Sequence, residues 1–310
     1  MGAVRSRFGK LTMLHFIVES PEAAKAEGRE VPNCKISGFT FETYLLEKSR
    51  VVSHVKGERT YHLFYQLLKA PEDEKVELWE NLEGTTCDSF RFVGEPEIHG
   101  TDGRTDAEAW SDTRDALSSL GFKPGRGLKT LMRAVCCVLQ LGNITFSIDP
   151  SDDEGAILSS TEELDKLCSL MGVFPATFRD ALCLRQTKVP YGEDIVVRLT
   201  PASAKDGCDA LAKEMYTQIF QTLTETINGI TEPQDSRSKM GRVSILDMFG
   251  FENFTVNRFE QFCINYANEK IQNKFVSDTF LLIRVSALQT DTEGKFAASE
   301  AYPLTFQLFL

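Results

Sequence analysis

Apolar residues in this chain recur with two spacings, one typical of strands and one typical of helices. Apolar runs at 11–16, 36–41 and 243–246 predict strands, which present side chains to alternate faces or are buried on both. The polar stretch 20–33 between the first two runs predicts a surface loop. These runs therefore predict part of a β-sheet.

Helical spacing covers much of the remaining chain. Apolar residues three and four apart predict helices over 60–69, 128–141 and about 205–228. Gly142 follows the second of these, and a glycine just after a helix suits the left-handed C′ position. The acidic run 151–154 predicts a solvated turn. The presence of both spacings indicates a mixed, helix-rich α/β protein.

One apolar strand leads directly into a carboxylate and a glycine. Asp247 follows the run 243–246, and Gly250 lies three residues further on. Phosphate-binding α/β folds place the group that senses the nucleotide and its metal at the end of a central strand. A glycine there lets a backbone N–H approach a phosphate without a Cβ in the way. Residues 247–252, Asp-Met-Phe-Gly-Phe-Glu, are therefore a candidate nucleotide-sensing switch.

A long helix is predicted after this candidate switch. Asn257 followed by Glu260 predicts the helix start, because an N-cap side chain and a carboxylate three residues later satisfy free backbone N–H groups. The helix places four residues on one face: Phe259, Phe262, Cys263 and Tyr266. A stripe of this kind predicts packing into a core.

Composition narrows the classes of function. The 310 residues are 42% hydrophobic and include 22 Phe, which is ample for the core of one large or two modest domains. The formal charge of −11 argues against a nucleic-acid partner bound through its phosphates. Eight cysteines without a Cys-x-x-Cys pair predict reduced thiols in the cytosol. No apolar run approaches the roughly 20 residues that span a bilayer, so no membrane insertion is expected.

Several longer stretches resemble a known family. Residues 259–272, Phe-Glu-Gln-Phe-Cys-Ile-Asn-Tyr-Ala-Asn-Glu-Lys-Ile-Gln, resemble the relay helix of the myosin motor, and residues 247–252 resemble its switch II. Residues 6–10, Ser-Arg-Phe-Gly-Lys, resemble the second half of its switch I. Four further stretches are similar to myosin in the same order: 45–51, 58–68, 141–146 and 209–213. The resemblance covers about residues 5 to 280.

The resemblance implies a partial P-loop NTPase motor core with a large, mainly helical inserted subdomain. Residues 1–16 would be the remnant of switch I and the following core strand, and 17–240 an upper 50-kDa-like subdomain that faces actin. Residues 241–285 would contain the switch II strand and loop and the relay helix, while 286–310 stay unassigned. Because only a few strands of the motor's sheet are present, bare sheet edges and a tendency to aggregate are expected.

The resemblance also implies a site for ATP with Mg²⁺. Gly250 would offer its N–H to the γ-phosphate, Ser6 would ligate the magnesium through its hydroxyl, and Asp247 would hold it through water. Arg7 would pair with Glu252 and close the pocket over the γ-phosphate, since a guanidinium binds a carboxylate through two parallel hydrogen bonds. Arg7, Gly250 and Glu252 are thus the implied catalytic residues.

Two departures from the family pattern bear on activity. Arg5 stands where the family has the serine that touches the γ-phosphate. A phosphate-cradling loop needs glycines followed by Gly-Lys-Ser/Thr, but the Gly-Lys pairs here, Gly9-Lys10 and Gly294-Lys295, are followed by Leu and Phe. In myosins that loop precedes switch I, so it is expected upstream of this chain. The isolated chain is therefore predicted to be catalytically incompetent.

A separate stretch predicts a partner. Residues 188–199 lie where myosins carry the actin-contacting cardiomyopathy loop. The resemblance implies actin contacts for four residues: Lys188, Tyr191, Glu193 and Arg198. Glu193 lies where the family has an acidic or phosphorylatable residue, which implies actin engagement without a heavy-chain kinase. The pattern alone indicates a β-hairpin tip with one ordinary surface glutamate.

The implied function is that of a part of an actin-based cytoskeletal motor that couples ATP binding and hydrolysis to movement on actin filaments. Expected partners are actin filaments and, in a full-length protein, the rest of the motor, the lever and light chains. The expected location is the cytoplasmic cytoskeleton, in a myosin complex. The alternative is an actin-binding module or pseudo-motor without ATP turnover.

Kinesins are disfavoured, because their switch I continues Ser-Arg-Ser-His and they lack the long stretch between the switches. A small GTPase is excluded by the missing guanine-reading motif.

Overall fold

The computed structural model describes residues 8–53, 59–93, 103–123, 127–188, 194–233, 240–253, 257–281 and 308–309. Its contacts divide the chain into two compact units. The larger unit contains residues 48–227, and the smaller contains 5–47 together with 228–310. These boundaries differ from those expected after residues 16 and 240, and the functional identity of the expected segments stays a prediction.

Helices and strands occur in both units. In chain order they are β1 (Gly9–Val18), α1 (Pro21–Ala26), β2 (Cys34–Tyr44), α2 (His62–Leu68), α3 (Glu72–Leu78), α4 (Asp106–Ser119), α5 (Gly127–Gly142), β3 (Phe146–Asp149), β4 (Asp152–Leu158), α6 (Thr161–Met171), α7 (Pro175–Cys183), β5 (Leu184–Thr187), β6 (Ile195–Arg198), α8 (Pro201–Thr231), β7 (Met240–Asp247), α9 (Phe259–Val276) and β8 (Leu308–Phe309). Short 3₁₀ turns occur at Lys48–Val51, Glu80–Leu82 and Cys87–Ser89, and a π-helical turn, Ser277–Leu281, follows α9. The predicted mixture of helix and sheet is confirmed.

A four-stranded sheet with the order β2-β1-β7-β8 is the framework of the smaller unit. β1 is antiparallel to both β2 and β7, whereas β7 and β8 are parallel. The predicted strands at 11–16, 36–41 and 243–246 are confirmed as the middles of β1, β2 and β7. β1 therefore joins the two other predicted strands into one sheet.

Part of the stretch predicted as a loop is helical, because α1 lies within 20–33. Ser20 caps this helix, since its Oγ accepts a hydrogen bond from the Ala23 N–H at 3.2 Å. Pro21 occupies the first turn, where its missing N–H costs no hydrogen bond. The loop prediction is wrong for these residues because a short capped helix on the surface needs few apolar side chains.

The larger unit contains the main apolar core. The largest fully buried side chains of the described residues all belong to it, among them Phe64, Tyr65, Phe92, Trp110, Met132 and Leu139. The predicted helices at 60–69, 128–141 and 205–228 are confirmed as α2, α5 and α8. α5 is buried from Val135 to its end, which explains why this part of its sequence is apolar except for Gln140. No helix in the described part of the chain has the length and apolar character needed to cross a membrane.

Gly142 has a different role from the predicted one. It is the last residue of α5 and does not have a left-handed φ, so the C′ prediction is wrong. A Cβ at this position would lie 2.9 Å from the ring of Phe92. Glycine is required here because the helix backbone approaches a buried aromatic ring closely.

The predicted acidic turn at 151–154 is shorter than expected. Asp149 pairs with Asp152 across the β3–β4 hairpin, so only residues 150 and 151 lie in the turn and the acidic residues begin β4. Asp149 Oδ1 accepts hydrogen bonds from the Ser151 N–H at 2.9 Å and from the Ser151 hydroxyl at 2.7 Å. The side chain of Asp149, at the end of β3, therefore stabilises the turn that follows the strand.

Candidate functional site

The candidate switch begins where β7 ends. Asp247 is the last residue of β7 and pairs with Lys10 of β1, and its side chain is exposed. Gly250 is also exposed, and a Cβ built on it would meet no atom within 4 Å. Packing in this chain therefore does not require a glycine at this position, whereas close approach of a ligand to its N–H would. Both residues are exposed, and their roles toward a ligand stay predictions.

Glu252 differs from these two residues because it is buried, at 3% exposure. Gln261 of α9 donates from Nε2 to Glu252 Oε2 at 3.2 Å. The predicted partner Arg7 and the predicted magnesium ligand Ser6 lie outside the described residues, so both roles stay predictions. The structure therefore brings Glu252 to the relay-like helix, and its pairing with Arg7 remains untested.

Two asparagines of α9 bind the backbone of the candidate switch. Asn265 Oδ1 accepts from the Glu252 N–H at 2.9 Å, and Asn265 Nδ2 donates to the Glu252 carbonyl at 2.8 Å. Asn268 Nδ2 donates to the Phe249 carbonyl at 2.8 Å and to the Ile264 carbonyl at 2.9 Å. We call Gln261, Asn265 and Asn268 the amide latch. It ties the backbone at two positions of the switch to the helix.

The amide latch was missed by sequence reasoning, although its spacing is a usable signal. Its residues lie four and then three positions apart, so they share one face of α9. Amides repeated at this spacing beside a glycine-containing loop are suited to binding backbone N–H and C=O groups, because each amide offers both a donor and an acceptor. Ile264, which is 7% exposed, lies on the same side of the helix.

The start of α9 differs from the prediction by one residue. The helix begins at Phe259, and its N-cap is Arg258, whose N–H donates to Gln261 Oε1 at 2.9 Å. The N-cap is therefore Arg258 in place of the predicted Asn257. Gln261 has the right spacing from the true N-cap, so the same capping rule applies in a shifted register.

The aromatic stripe of α9 is not packed into a core formed by the described residues. Phe259, Phe262 and Tyr266 are 75%, 65% and 56% exposed. Their rings stack along the helix with successive centroid distances of 6.3 Å, and Lys270 Nζ lies 5.4 Å from the Tyr266 centroid. The predicted core packing is wrong because α9 buries its opposite face, where the amide latch binds the switch. Cys263 is partly buried beside the stripe.

The predicted actin-facing stretch contains a β-hairpin. β5 and β6 pair antiparallel from Leu184 opposite Arg198 to Thr187 opposite Ile195. Lys188 is exposed at the end of β5, whereas Tyr191 and Glu193 lie outside the described residues. The other prediction for this stretch, a β-hairpin inferred from the sequence pattern alone, is confirmed for the two strands. The tip of the hairpin lies outside the described residues.

Two features of this hairpin bear on a partner. Ile195, Val196 and Val197 of β6 are all more than half exposed, at 53%, 57% and 53%. Arg198 forms an ion pair with Asp149 of β3. The pKa of Asp149 is lowered mainly by its hydrogen bonds with Ser151 and further by Arg198. The hairpin thus presents an apolar strand beside a charged pair, and sequence reasoning missed the exposure of that strand.

The described residues contain no cluster of three or more His, Cys, Asp or Glu side chains able to hold a metal. Asp247 alone among the predicted magnesium ligands lies in the described part of the chain. Its exposed carboxylate at a strand end offers the hard oxygen ligand that Mg²⁺ prefers, so it fits the predicted role.

Comparisons with known proteins agree on one family. A family model described as "Myosin head (motor domain)" matches residues 5–286. The chain is 35% identical over 250 residues to unconventional myosin-Vb of Mus musculus, and 34% over 287 residues to Myosin-1 of Arabidopsis thaliana. It is 37% identical over 244 residues to unconventional myosin-Ia of Gallus gallus. These alignments cover 80%, 92% and 77% of this chain, but 13%, 23% and 22% of the three relatives. The chain therefore spans less than a quarter of the length of these curated relatives.

Proposed function

The chain belongs to the myosin head family, and on that basis we propose that it is part of an actin-based motor that couples ATP binding and hydrolysis to movement on actin filaments. The observation that carries the proposal is the amide latch. It ties the backbone at Phe249 and Glu252, on either side of Gly250, to the long helix α9. A displacement of the switch toward a bound phosphate would therefore be transmitted to the helix.

ATP with Mg²⁺ is the proposed ligand of the switch. Gly250 would donate its N–H to the γ-phosphate, and Ser6 and Asp247 would hold the magnesium, the latter through water. Arg7 would pair with Glu252 and close the site, because a buried carboxylate favours a guanidinium partner. The bound Mg²⁺ would neutralise charge on the phosphates. These roles are the ones that the switch residues would have in a P-loop NTPase core.

Actin filaments are the proposed partner of the β5–β6 hairpin. The three exposed β-branched residues of β6 provide apolar area, and the exposed cations Lys188 and Arg198 lie at the ends of β5 and β6. Tyr191 and Glu193 lie outside the described residues and are proposed as contacts from the sequence resemblance alone. An apolar centre with a polar rim is typical of a protein-binding surface. The second candidate is an actin-binding module without ATP turnover, for which the exposed apolar strand of the hairpin would suffice.

The latch is tested by hydrogen exchange. Asn265→Ala removes both side-chain bonds to the Glu252 backbone, so exchange of residues 249–253 should accelerate about tenfold or more, as expected for losing two hydrogen bonds. Asn273→Ala changes an exposed asparagine of the same helix and is the matched control. Equal exchange in the two variants would contradict the proposed coupling.

Actin binding and ATP turnover are tested separately. The chain should cosediment with filamentous actin, and Val196→Asp should weaken the binding, whereas Phe174→Asp changes an 82% exposed residue outside the hairpin and should not. Sedimentation no greater than that of an unrelated acidic protein would contradict the proposed partner. Steady-state ATPase of the isolated chain should equal background, and hydrolysis that rises with actin would overturn its predicted incompetence.

A further inference from the structure

A side-chain amide from the end of α8 covers part of the outer edge of β2. Asn228 Oδ1 accepts from the Phe41 N–H at 2.9 Å, and Asn228 Nδ2 donates to the Phe41 carbonyl at 2.8 Å. The amide thus forms the two hydrogen bonds that a residue of a neighbouring strand would form. Unpaired backbone groups on an edge strand are a template for another chain, so Asn228 blocks this part of the template.

The backbone beside this amide packs closely on the same strand. A Cβ built on Gly38 of β2 would lie 2.4 Å from the Thr231 carbonyl oxygen and 3.0 Å from the Pro233 nitrogen. A side chain at Gly38 would therefore push the end of α8 away from β2. The Asn228 carbonyl accepts the Glu232 N–H at 2.8 Å, so Asn228 belongs to the last turn of the helix.

Asn228 is followed by Gly229, in the one Asn-Gly pair of the sequence. An asparagine deamidates when the backbone nitrogen of the next residue attacks its side-chain amide carbon, and glycine hinders this attack least because it has no Cβ. Here a bond would form between the Gly229 nitrogen and Asn228 Cγ. The proton of that nitrogen would leave with the side-chain NH₂ as ammonia, and a cyclic imide would remain. Water then opens the imide at either carbonyl, which gives aspartate or isoaspartate.

We propose that Asn228 is a site of spontaneous deamidation, which the folded chain protects and which opens when the last turn of α8 detaches from β2. Ring closure requires the Asn228 backbone to leave its helical dihedral angles and its amide to leave the Phe41 backbone, so the helix and two hydrogen bonds oppose it. Gly229 is exposed, and a Cβ built on it would meet no atom within 4 Å. Packing around Gly229 therefore does not hinder the reaction once the turn has opened.

Either product would uncover the edge of β2 permanently. A carboxylate has no N–H to donate, so an aspartate at position 228 would direct a charged acceptor at the Phe41 carbonyl. An isoaspartate adds a carbon to the main chain and interrupts the last turn of α8. The released edge is then open to pairing with a strand of another chain. The proposal does not depend on the proposed ATP and actin contacts.

Mass spectrometry of the full chain at neutral pH tests the protection, since deamidation replaces NH₂ by OH and raises the mass by about 1 Da. The peptide Thr-Glu-Thr-Ile-Asn-Gly-Ile-Thr-Glu-Pro, which has the sequence of residues 224–233, gives the rate without the fold. It should react at least about tenfold faster than the folded chain, the protection expected from one or two hydrogen bonds. Equal rates in the peptide and the chain would overturn the proposal.

Two substitutions in β2 test whether contact with this strand provides the protection. Gly38→Ala should raise the rate of deamidation at Asn228 toward that of the peptide, because its methyl group displaces the end of α8. Ser37→Ala, at the neighbouring position, adds no atom and should react at the parent rate. Gly229→Ala should slow the reaction in the chain and in the peptide, because a Cβ hinders the attack. Equal rates in Gly38→Ala and Ser37→Ala would contradict the proposal.

The consequence of deamidation is tested without waiting for the reaction. Asn228→Asp carries the product carboxylate, so hydrogen exchange at residues 39–43 should accelerate about tenfold, while exchange at 11–16 in β1 stays within about twofold of the parent. Asn273→Asp adds the same charge at an exposed position of α9 and should leave both segments unchanged. Unchanged exchange at 39–43 in Asn228→Asp would overturn the inference. Loss of protection in β1 would also overturn it, because Asn228 would then be required by the whole sheet.

Discussion

The two units of this chain are stabilised in different ways. The larger unit contains an apolar core around α5 with Trp110 and Met132 at 2% and 0% exposure. The smaller unit consists of a sheet with few fully buried side chains and a helix held by the amide latch, while the aromatic stripe of α9 remains exposed. Apolar burial is the main source of folding free energy, so we expect the larger unit to be the more stable one. The larger unit is thus stabilised mainly by its own apolar core, and the smaller unit mainly by backbone and amide hydrogen bonds.

Removing core volume should have the largest effect. Met132→Ala deletes a side chain with no exposed surface, and we expect it to lower the free energy of unfolding of the larger unit by about 2–5 kcal/mol. Both tryptophans, Trp79 and Trp110, are buried in this unit, so their fluorescence during urea unfolding reports on it. Phe174→Ala, at an 82% exposed position of the same unit, is the control and should change stability little. Equal shifts in the two variants would show that α5 does not lie in a tightly packed core.

Adding one methyl group distinguishes close packing from open helix surface. Gly142→Ala places a Cβ 2.9 Å from the Phe92 ring, so we expect a loss of about 1–3 kcal/mol from overpacking. Gly207→Ala in α8 meets no atom within 4 Å and should stabilise its helix by up to about 1 kcal/mol. Opposite shifts of the thermal midpoint would confirm the difference, and a gain in stability at both positions would contradict it.

Alkaline pH should weaken the larger unit through its buried thiols. Burial raises the pKa of Cys208 to about 12 and that of Cys137 to about 11, and it also raises the pKa of Cys136. An unfolded thiol loses its proton near pH 8.5, so stability is fully retained below that pH and falls as the pH rises toward the folded values. The expected slope is about 1.4 kcal/mol per pH unit for each such thiol.

Urea unfolding of the larger unit between pH 8 and pH 10 measures this slope. Cys208→Ala should reduce it by the contribution of one thiol, whereas Cys34→Ala, at an exposed position of the smaller unit, should leave it unchanged. A stability independent of pH in this window would mean that these thiols are accessible to water.

The smallest effect on stability is expected on the aromatic stripe. Phe262 is 65% exposed and stacks on two ring neighbours, so Phe262→Ser should change the free energy of unfolding by less than about 1 kcal/mol. The same change should raise the protein concentration at which light scattering shows aggregation, because it interrupts an exposed apolar patch. A large loss of stability would show that the stripe is buried in solution, and an unchanged aggregation threshold would exclude it as the aggregating surface.

Elements with strong periodicity were predicted well from the sequence. These elements depend on apolar patterns that extend over many residues, and they are the strands β1, β2 and β7 and the helices α2, α5 and α8. The errors occurred where a single contact decides the outcome. The α9 cap lies one residue later than predicted because Gln261 binds the Arg258 N–H, and Gly142 ends α5 within the helix because Phe92 lies against it. The cap error is a choice between two neighbouring registers that satisfy the same local rule, whereas the Gly142 error comes from a ring 50 residues away along the chain, which local rules do not include.

The sequence by itself determined the family, the strand that ends at Asp247, and the glycine and carboxylate that follow it. These features depend on residue order, which folding does not change. The tertiary structure alone decided that Glu252 is buried under α9, that three amides hold the switch, and that the aromatic face of the same helix is exposed. The physical reason is that periodicity identifies which face of a helix is apolar, whereas only the positions of the surrounding elements decide which face is covered.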